Sequence, residues 1–254
     1  MTQLAYKSAA PPRISEHDQR FIFQLEMRHG KPECALECDE FSVRRAATVF
    51  EYADTNSLVK EMYSRKGYTT DGVVNMPRRE NTITLDAHDS DKIMGTLTVR
   101  LDSRQTGLLA DALYAKEIDA IRQNGRTVCE VSKLAVDPRF GSKELMASLF
   151  QLAYLYAHVI HRVHDAFIEV NPRHAGFYKR MLGFREIGEL RTCPRVNAPA
   201  VLLHVELDYM REQIDRHSGR GYCASEKSLY PYFLSCGAED WIHRAMRTKV
   251  NRPH

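Results

Sequence analysis

A chain of 254 residues with 43% hydrophobic and 27% charged residues can form one large soluble globular domain, or one domain with extensions. Its formal net charge of +3 is too small to indicate a nucleic-acid-binding protein. The sequence contains no run of about 18 apolar residues, which argues against a membrane-spanning helix, and its N-terminus lacks the apolar core of a secretory signal peptide. We therefore expect a cytoplasmic protein.

Six cysteines are scattered along the chain, as is typical of reduced thiols in a cytoplasmic protein. Cys34 and Cys38 have a spacing found in metal sites, but no second close pair follows them, so free thiols are the simpler interpretation. His158, His161 and His164 would point about 60° apart around a helix and would not converge on one metal. No metal site is predicted.

The first 40 residues are polar and contain several helix and strand breakers, so we interpret them as an N-terminal extension with one short helix at about 16–28. A strand at 41–48 and a helix at 51–65, ended by Gly67, follow.

Two alternating strands, at 82–88 and 92–101, are predicted to form a hairpin. An amphipathic helix at 108–123 comes next and is closed by Asn124 and Gly125.

The centre of the chain is a strand at 127–136 (TVCEVSKLAV), an otherwise apolar run interrupted by Glu130, Ser132 and Lys133. A long helix at about 143–162 connects it to a second strand at 166–170. A strand–helix–strand unit makes its two strands parallel and adjacent. A buried carboxylate in such a strand needs a partner or a function, so Glu130 is the first place to look for chemistry.

The remaining elements are a short helix at 175–181, two closing strands at 184–191 and 200–207, and one or two helices around Trp241. The predicted fold is therefore mixed α/β, with a central twisted sheet of about six to seven strands flanked by helices. We place the folded domain at 41–208 and a C-terminal helical extension at 209–254, and we expect a V-shaped opening where the parallel strands meet.

Two sets of residues carry a resemblance to known families. The spacing of an asparagine, an aromatic pair and a Gly-Phe pair resembles that of Gcn5-related N-acetyltransferase (GNAT) folds, and it is formed by Asn171, Phe177, Tyr178, Gly183 and Phe184. More closely, residues 131–138 (VSKLAVDP) and 171–174 (NPRH) resemble the bacterial long-chain N-acyl amino acid synthases, which are related to the acyl-homoserine lactone synthases. The resemblance covers about residues 41–208.

The resemblance implies transfer of a fatty acyl group from the phosphopantetheine thioester of an acyl carrier protein, or from acyl-CoA, to the α-amine of an amino acid. It implies no permanently bound cofactor. Enzymes of the GNAT fold that use coenzyme A hold its pyrophosphate on a glycine-rich loop, whereas residues 137–143 (DPRFGSK) contain only Gly141. A carrier-borne phosphate needs fewer donors, which Ser142 and Lys143 could supply.

Basic residues flank the two central strands, and an acidic carrier protein could dock on them. They are Arg139, Lys143, Arg173, Lys179 and Arg180. Plain surface charge is the alternative interpretation. The C-terminal segment could cover the acyl tunnel, dock the carrier, or touch a membrane surface into which the product partitions.

Glu130 matches the glutamate of the related lactone synthases and is the candidate base, because an amino-acid amine is mostly protonated at neutral pH and a partly buried carboxylate has a raised pKa. The alternative is a structural ion pair with Lys133 or Arg100. Residues 130 and 133 point to opposite faces of a regular strand, so a pair between them requires a bulge.

The resemblance implies further site residues. Backbone groups of Ser132, Leu134, Ala135 and Val136 would bind the donor and polarise its thioester carbonyl if the strand bulges. Tyr178 would protonate the leaving thiolate, or else is an aromatic plug between helix and sheet.

Asn171 would bind the pantetheine arm, or else caps the following turn. Arg100, together with Lys133, would bind the carboxylate of the acceptor.

Other functions remain open from the sequence. They are an acyl-homoserine lactone synthase, an exosortase-linked acyltransferase, and an inactive domain that binds a carrier protein or lipid.

Overall fold

The computed structural model describes residues 15–28, 31–75, 79–90, 92–223, 225–235, 237, 239–240 and 242–244. The strands within these residues are β1 (Ile22–Arg28), β2 (Lys31–Glu37), β3 (Ser42–Arg45), β4 (Thr82–Asp89), β5 (Lys92–Leu101), β6 (Val128–Val136), β7 (Asp165–Val170), β8 (Arg185–Glu186), β9 (Arg191–Cys193) and β10 (Ala198–Glu206). The helices are α1 (Glu16–Gln19), α2 (Val49–Ser64), α3 (Asp71–Val74), α4 (Asp111–Arg122), α5 (Lys143–Tyr154), α6 (Pro172–Leu182) and α7 (Leu207–His217). A π-helical segment, Leu155–Ile160, continues α5, and a 3-10 turn lies at Tyr230–Tyr232.

All of these strands belong to one sheet, in the order β1-β2-β3-β4-β5-β6-β7-β10-β8, with β9 paired to β10. Every neighbouring pair is antiparallel except β6 and β7, which are parallel. The predicted mixed α/β fold and its parallel strand pair are confirmed, and the long helix between the two strands is α5 with its π-helical continuation.

The sheet has ten strands, more than the six to seven predicted. The helix predicted at 16–28 ends at Gln19, and a hairpin of β1 and β2 adds two strands beyond β3. The reason is a period of two in the sequence, since Phe23, Leu25 and Met27 alternate with Gln24, Glu26 and Arg28. The other additional element is the short strand β9.

The two faces of the sheet differ in polarity. On one face Leu85, Leu97 and Val99 belong to a large apolar core with Leu145 and Leu149 of α5. The opposite face carries polar side chains that are all at most 7% exposed, namely Thr84, Asp86, Thr96, Thr98, Arg100 and Glu130. Helix α2, which begins with a capping box, lies against β5 and β6. Buried polar groups are costly unless satisfied, so the polar face is the candidate for function.

The parallel strands β6 and β7 separate partway along their length. Their pairing covers only Val128–Glu130 and Asp165–Phe167, although β6 continues to residue 136 and β7 to residue 170. On its other side β6 bulges, because Ser132 and Ala135 pair with Thr98 and Thr96 across a single intervening β5 residue. Lys133, in the bulge, has a φ of 51°, in the left-handed region. The predicted V-shaped opening therefore exists.

The C-terminal segment packs against α5. Gln151 exchanges two hydrogen bonds with the backbone of Leu234, at 3.0 and 2.9 Å, and His17 Nε2 donates to the carbonyl of Tyr232 at 3.0 Å. The described residues of the predicted extension include most of helix α7, the 3-10 turn, and helical residues at 237, 239–240 and 242–244, while Trp241 itself lies outside the described residues. The domain boundaries at 40 and 208 stay predictions. No helix in the described ranges is long and apolar enough to cross a bilayer.

Candidate active site

The opening between β6 and β7 contains a cavity of about 530 Å³. It reaches both faces of the sheet, because its wall includes Met146, Phe177 and Tyr178 on the α5 and α6 side and Leu109 and Arg195 on the other. All of the β6 residues from Glu130 to Val136 line it. We refer to it as the main cavity.

Glu130 is the most buried carboxylate of the main cavity, with 1% of the residue exposed. Its Oε2 accepts hydrogen bonds from the backbone N–H groups of Leu109, at 2.5 Å, and Ala110, at 3.2 Å. Burial raises its pKa to about 7, against the lowering effect of the Arg195 charge and of the two N–H groups. A carboxyl group with this pKa can exchange protons near neutral pH.

Arg100 lies beside Glu130 on the same face of the sheet, because the two residues are direct partners in the pairing of β5 with β6. Its side chain is buried, and burial lowers its pKa although Glu130 raises it. Among the residues that the structure describes, no carboxylate lies within ion-pair distance of the Arg100 guanidinium and no group hydrogen-bonds to it, although its backbone pairs with β4 and β6. A buried guanidinium without a partner points to an anionic ligand.

Arg100 lines a second cavity of about 270 Å³, between α2 and the polar face of the sheet. We refer to it as the second cavity. Ser132, Lys133 and Leu109 line both cavities, so the two adjoin at the bulge of β6. The hydroxyl of Thr82 is buried in the second cavity without a hydrogen-bond partner in the described part of the chain. Lys133 donates to Asn56 Oδ1 at 3.3 Å, and burial lowers its pKa.

Tyr178 and Asn171 both line the main cavity, and each also has the structural role that the sequence left open. The ring of Tyr178 lies in an aromatic cluster with Phe150, Phe177 and Phe184, and burial raises its pKa. Asn171 caps α6, accepting from the N–H of Arg173 at 3.2 Å. Among the described residues, neither the Tyr178 hydroxyl nor the Asn171 amide N–H groups have a hydrogen-bond partner, so they can bind a ligand.

The loop before α5 is held by its own residues. Arg139 pairs with the buried carboxylate of Asp137, whose pKa this contact lowers to about 2. Ser142 caps α5 by accepting from the N–H of Leu145 at 3.1 Å. Gly141 has no close neighbour where a side chain would stand, the nearest atom being 3.9 Å away. Pro138 of this loop also lines the main cavity.

The basic residues predicted to dock a carrier protein lie on the surface, but several have partners within the chain. Lys179 pairs with Glu186 at 2.6 Å, and the ammonium group of Lys143 lies 5.4 Å from the centre of the Tyr232 ring. The guanidinium of Arg173 lies 4.9 Å from the ring of Tyr68, beside the main cavity. Arg180 is exposed.

The sequence analysis missed two charged residues of the main cavity, Glu169 and Arg195. Arg195 Nη2 lies 2.6 Å from Glu169 Oε2. Glu169 carries the same signal that drew attention to Glu130, since it is a carboxylate within a buried strand. Arg195 lies in the loop between β9 and β10, where no periodic pattern marks it.

In the part of the chain that the structure describes, no group of three or more histidine, cysteine, aspartate or glutamate side chains is arranged to hold a metal ion. Cys34 is buried, and its backbone N–H binds the hydroxyl of Tyr156 at 2.9 Å.

A mixed sheet whose parallel strands separate beside a bulged strand agrees with the GNAT fold that the sequence resemblance implied. A model of the FeeM N-acyl amino acid synthase family matches residues 54–206. The chain belongs to that family. The match covers β4 to β10 and every residue that lines the main cavity, and all those of the second cavity except Val49 and Tyr52.

Comparison of three-dimensional structures agrees. FeeM, an N-acyl amino acid synthase from uncultured soil microbes, is 29% identical to this chain, with a TM-score of 0.62 over 68% of this chain and 94% of that one. An acyl-CoA N-acyltransferase from Pseudomonas aeruginosa matches at 14% identity and a TM-score of 0.46, over 65% and 97% of the two chains. A putative N-acetyltransferase from Lactobacillus plantarum matches at 15% and 0.48, over 66% and 99%. No curated protein sequence matches significantly.

Proposed function

We propose that this N-acyltransferase moves a long-chain fatty acyl group from the phosphopantetheine thioester of an acyl carrier protein to the α-amine of an amino acid. The observation that carries the proposal is the main cavity, which joins a mostly apolar space between α5, α6 and the sheet to the buried carboxylate of Glu130. Membership of the FeeM family supports the N-acyl amino acid as product.

The acceptor occupies the second cavity in this proposal. Its carboxylate binds the guanidinium of Arg100, which has no partner among the described residues, with Lys133 nearby. Its amine points toward Glu130, beside the boundary of the two cavities. Glu130 takes one proton from the ammonium group, and the neutral nitrogen then attacks the thioester carbonyl. The C–N bond forms and the C–S bond breaks. The leaving sulfur takes a proton from Tyr178 and departs as a thiol, and the second proton lost by the nitrogen replaces the one that Tyr178 gave.

In this proposal the bulge of β6 binds the thioester carbonyl of the acyl group. Lys133 and Leu134 have no registered partner on β5, so backbone N–H groups of this stretch, including those of Ala135 and Val136, are the candidates to polarise the thioester carbonyl. Asn171 binds the pantetheine arm through its amide. The loop of Gly141, Ser142 and Lys143 at the start of α5 binds the single phosphate.

The hydroxyl of Tyr178 donates a hydrogen bond to the leaving sulfur and then transfers its proton to it. Replacement of Tyr178 by phenylalanine should lower kcat about 10- to 100-fold, the loss of one hydrogen bond to a charged group. Tyr63→Phe, which removes another phenol of the same cavity wall, is the matched control. Equal rates for Tyr178→Phe and the wild type would show that the hydroxyl has no part in the reaction and that Tyr178 only packs in the aromatic cluster.

The donor is tested with the purified protein, a mixture of amino acids, and palmitoyl groups carried either on acyl carrier protein or on coenzyme A. We expect kcat/KM to be at least about tenfold higher with the carrier protein, and to fall with added salt because the carrier is acidic. Arg173→Glu should reduce the rate with the carrier and spare the rate with coenzyme A. A preference for palmitoyl-CoA would overturn the carrier assignment.

The product is tested by mass spectrometry of lipids from a heterologous host that expresses the chain or its Glu130→Gln variant. New N-acyl amino acids in the first strain only are expected, and their masses identify head group and chain length. Acyl-homoserine lactones would show that the acceptor is wrongly assigned. Lipids identical to those of the empty host, with soluble protein in both strains, would favour an inactive binding domain.

A further inference from the structure

Glu169 and Arg195 form a buried ion pair in the wall of the main cavity. The side chains are 6% and 20% exposed, and Arg195 Nη2 lies 2.6 Å from Glu169 Oε2. Such a pair is expensive to remove from water and contributes little to stability on average. Its place beside the reacting groups suggests a different role.

The guanidinium of Arg195 is connected to Glu130 through one backbone residue. Its Nη1 donates to the carbonyl oxygen of Leu109 at 2.9 Å. The N–H of the same leucine donates to Glu130 Oε2 at 2.5 Å, and the N–H of Ala110 donates to the same oxygen. Leu109, just before α4, is therefore held from both sides, and its orientation determines the hydrogen bonds of the catalytic carboxylate.

The backbone that carries Arg195 is itself fixed. The N–H of Thr69 donates to the carbonyl of Val196 at 3.2 Å. A side chain at Gly72 would lie 2.8 Å from the carbonyl oxygen of Arg195, so only glycine permits this close packing of α3. The loop thus cannot shift without disturbing the segment before β4.

Arg195 and Arg100 differ in whether their guanidinium groups already have hydrogen-bond partners. Nη1 and Nη2 of Arg195 both donate to groups of the chain, whereas the guanidinium of Arg100 binds none of the described residues. Arg100 can therefore take the acceptor's carboxylate, and Arg195 cannot without breaking its own contacts.

We propose that Arg195 and Glu169 are a positioning pair for Glu130. Arg195 orients the Leu109 backbone so that two N–H groups hold Oε2, which leaves Oε1 to receive the proton of the acceptor's ammonium group. This inference rests on the proposed function and adds the residues that set the base's geometry and charge.

The pair also acts on Glu130 through its two opposite charges. The titratable groups whose charges interact with Glu130 are Arg100 of β5, Glu169 of β7, Arg195 of the β9–β10 segment, and the neighbouring Cys129 of β6. A second set interacts with these residues: Lys133 and Arg79 with Arg100, and Cys193 with Glu169 and Arg195. Burial raises the pKa of Glu130, Arg195 lowers it and Glu169 raises it, in that order of size. Removing either member should therefore move the pKa in a direction that the other does not.

The test is the pH dependence of kcat/KM for the full-length protein and three variants. Arg195→Met should move the acidic limb to higher pH, because the larger stabilising charge is lost. Glu169→Gln should move it to lower pH, because a like charge is lost while Arg195 stays. Arg195→Lys, which keeps the charge but not the fork, should leave the limb within about 0.3 pH units while kcat falls.

A direct titration makes the test independent of turnover. The δ-carbon of Glu130 is followed by NMR in protein labelled with 13C at glutamate, with Glu130→Gln identifying its signal. Opposite shifts of this titration in Arg195→Met and Glu169→Gln, in folded protein, support the pair. Unchanged midpoints in both would overturn it. An active Glu130→Gln enzyme would instead overturn the base assignment, whatever the midpoints do.

Discussion

Replacing Glu130 with glutamine is expected to lower kcat by about 10²- to 10⁴-fold, the usual contribution of a general base. Glutamine keeps the shape of the side chain and can still accept from the N–H groups of Leu109 and Ala110, but it cannot take a proton. The measurement is steady-state release of free thiol with a saturating amino acid. Glu212→Gln, at an exposed position of α7, is the matched control.

The titration of Glu130 should also appear in the pH dependence of kcat/KM of the wild-type enzyme. Because burial raises the pKa of Glu130 to about 7, the proton-accepting form is lost below that pH, and kcat/KM should fall tenfold per pH unit on the acidic side. A profile that stays flat down to pH 5, or a glutamine variant with full activity, would contradict the assignment.

Replacing Arg100 with methionine is expected to raise the KM for the amino acid about 10- to 100-fold while that for the acyl donor stays within a factor of about two. The reason is the loss of charge-assisted hydrogen bonds to a carboxylate, worth about 1.5–3 kcal/mol. Methionine fills much of the space and does not leave a buried charge, so the protein should fold. The measurement is a pair of saturation curves, one for each substrate.

Two controls sharpen the result for Arg100. Arg100→Lys should lie between wild type and methionine, since an ammonium group keeps the charge without the bidentate geometry. Arg104→Met removes a nearby exposed guanidinium and should change neither constant. An increased KM for the donor with an unchanged KM for the amino acid would show that Arg100 binds the acyl donor and not the amino acid.

The sequence predicted the parts of the site that lie on regular elements. Glu130 stands out because an acidic residue interrupts an apolar strand, and the long helix after it fixes that strand as parallel to the next. Glu169 likewise interrupts an apolar strand, but the strand predicted at 166–170 has only five residues, too few for a single acidic residue to stand out. The strands β1 and β2 were missed although their alternation is visible, because the breakers at Gly30 and Pro32 suggested irregular structure.

Arg195 could not be found in this way. Its contacts join it to Leu109, 86 positions earlier, and to Glu169, 26 positions earlier. Contacts over such distances depend on how the loop between β9 and β10 meets the start of α4, and no local pattern encodes that meeting. Similarly, the second cavity arises from the packing of α2 on the polar face, which only the three-dimensional structure reveals.

The opening between β6 and β7 passes through the sheet, and this has a kinetic consequence. In the proposed reaction the thioester arm enters from the α5 and α6 side and the amino acid from the α2 side, so neither substrate blocks the entrance of the other. A ternary complex can then assemble in either order. The acyl chain of the amide product does not fit the second cavity, so the product leaves through the apolar main cavity after the thiol has departed.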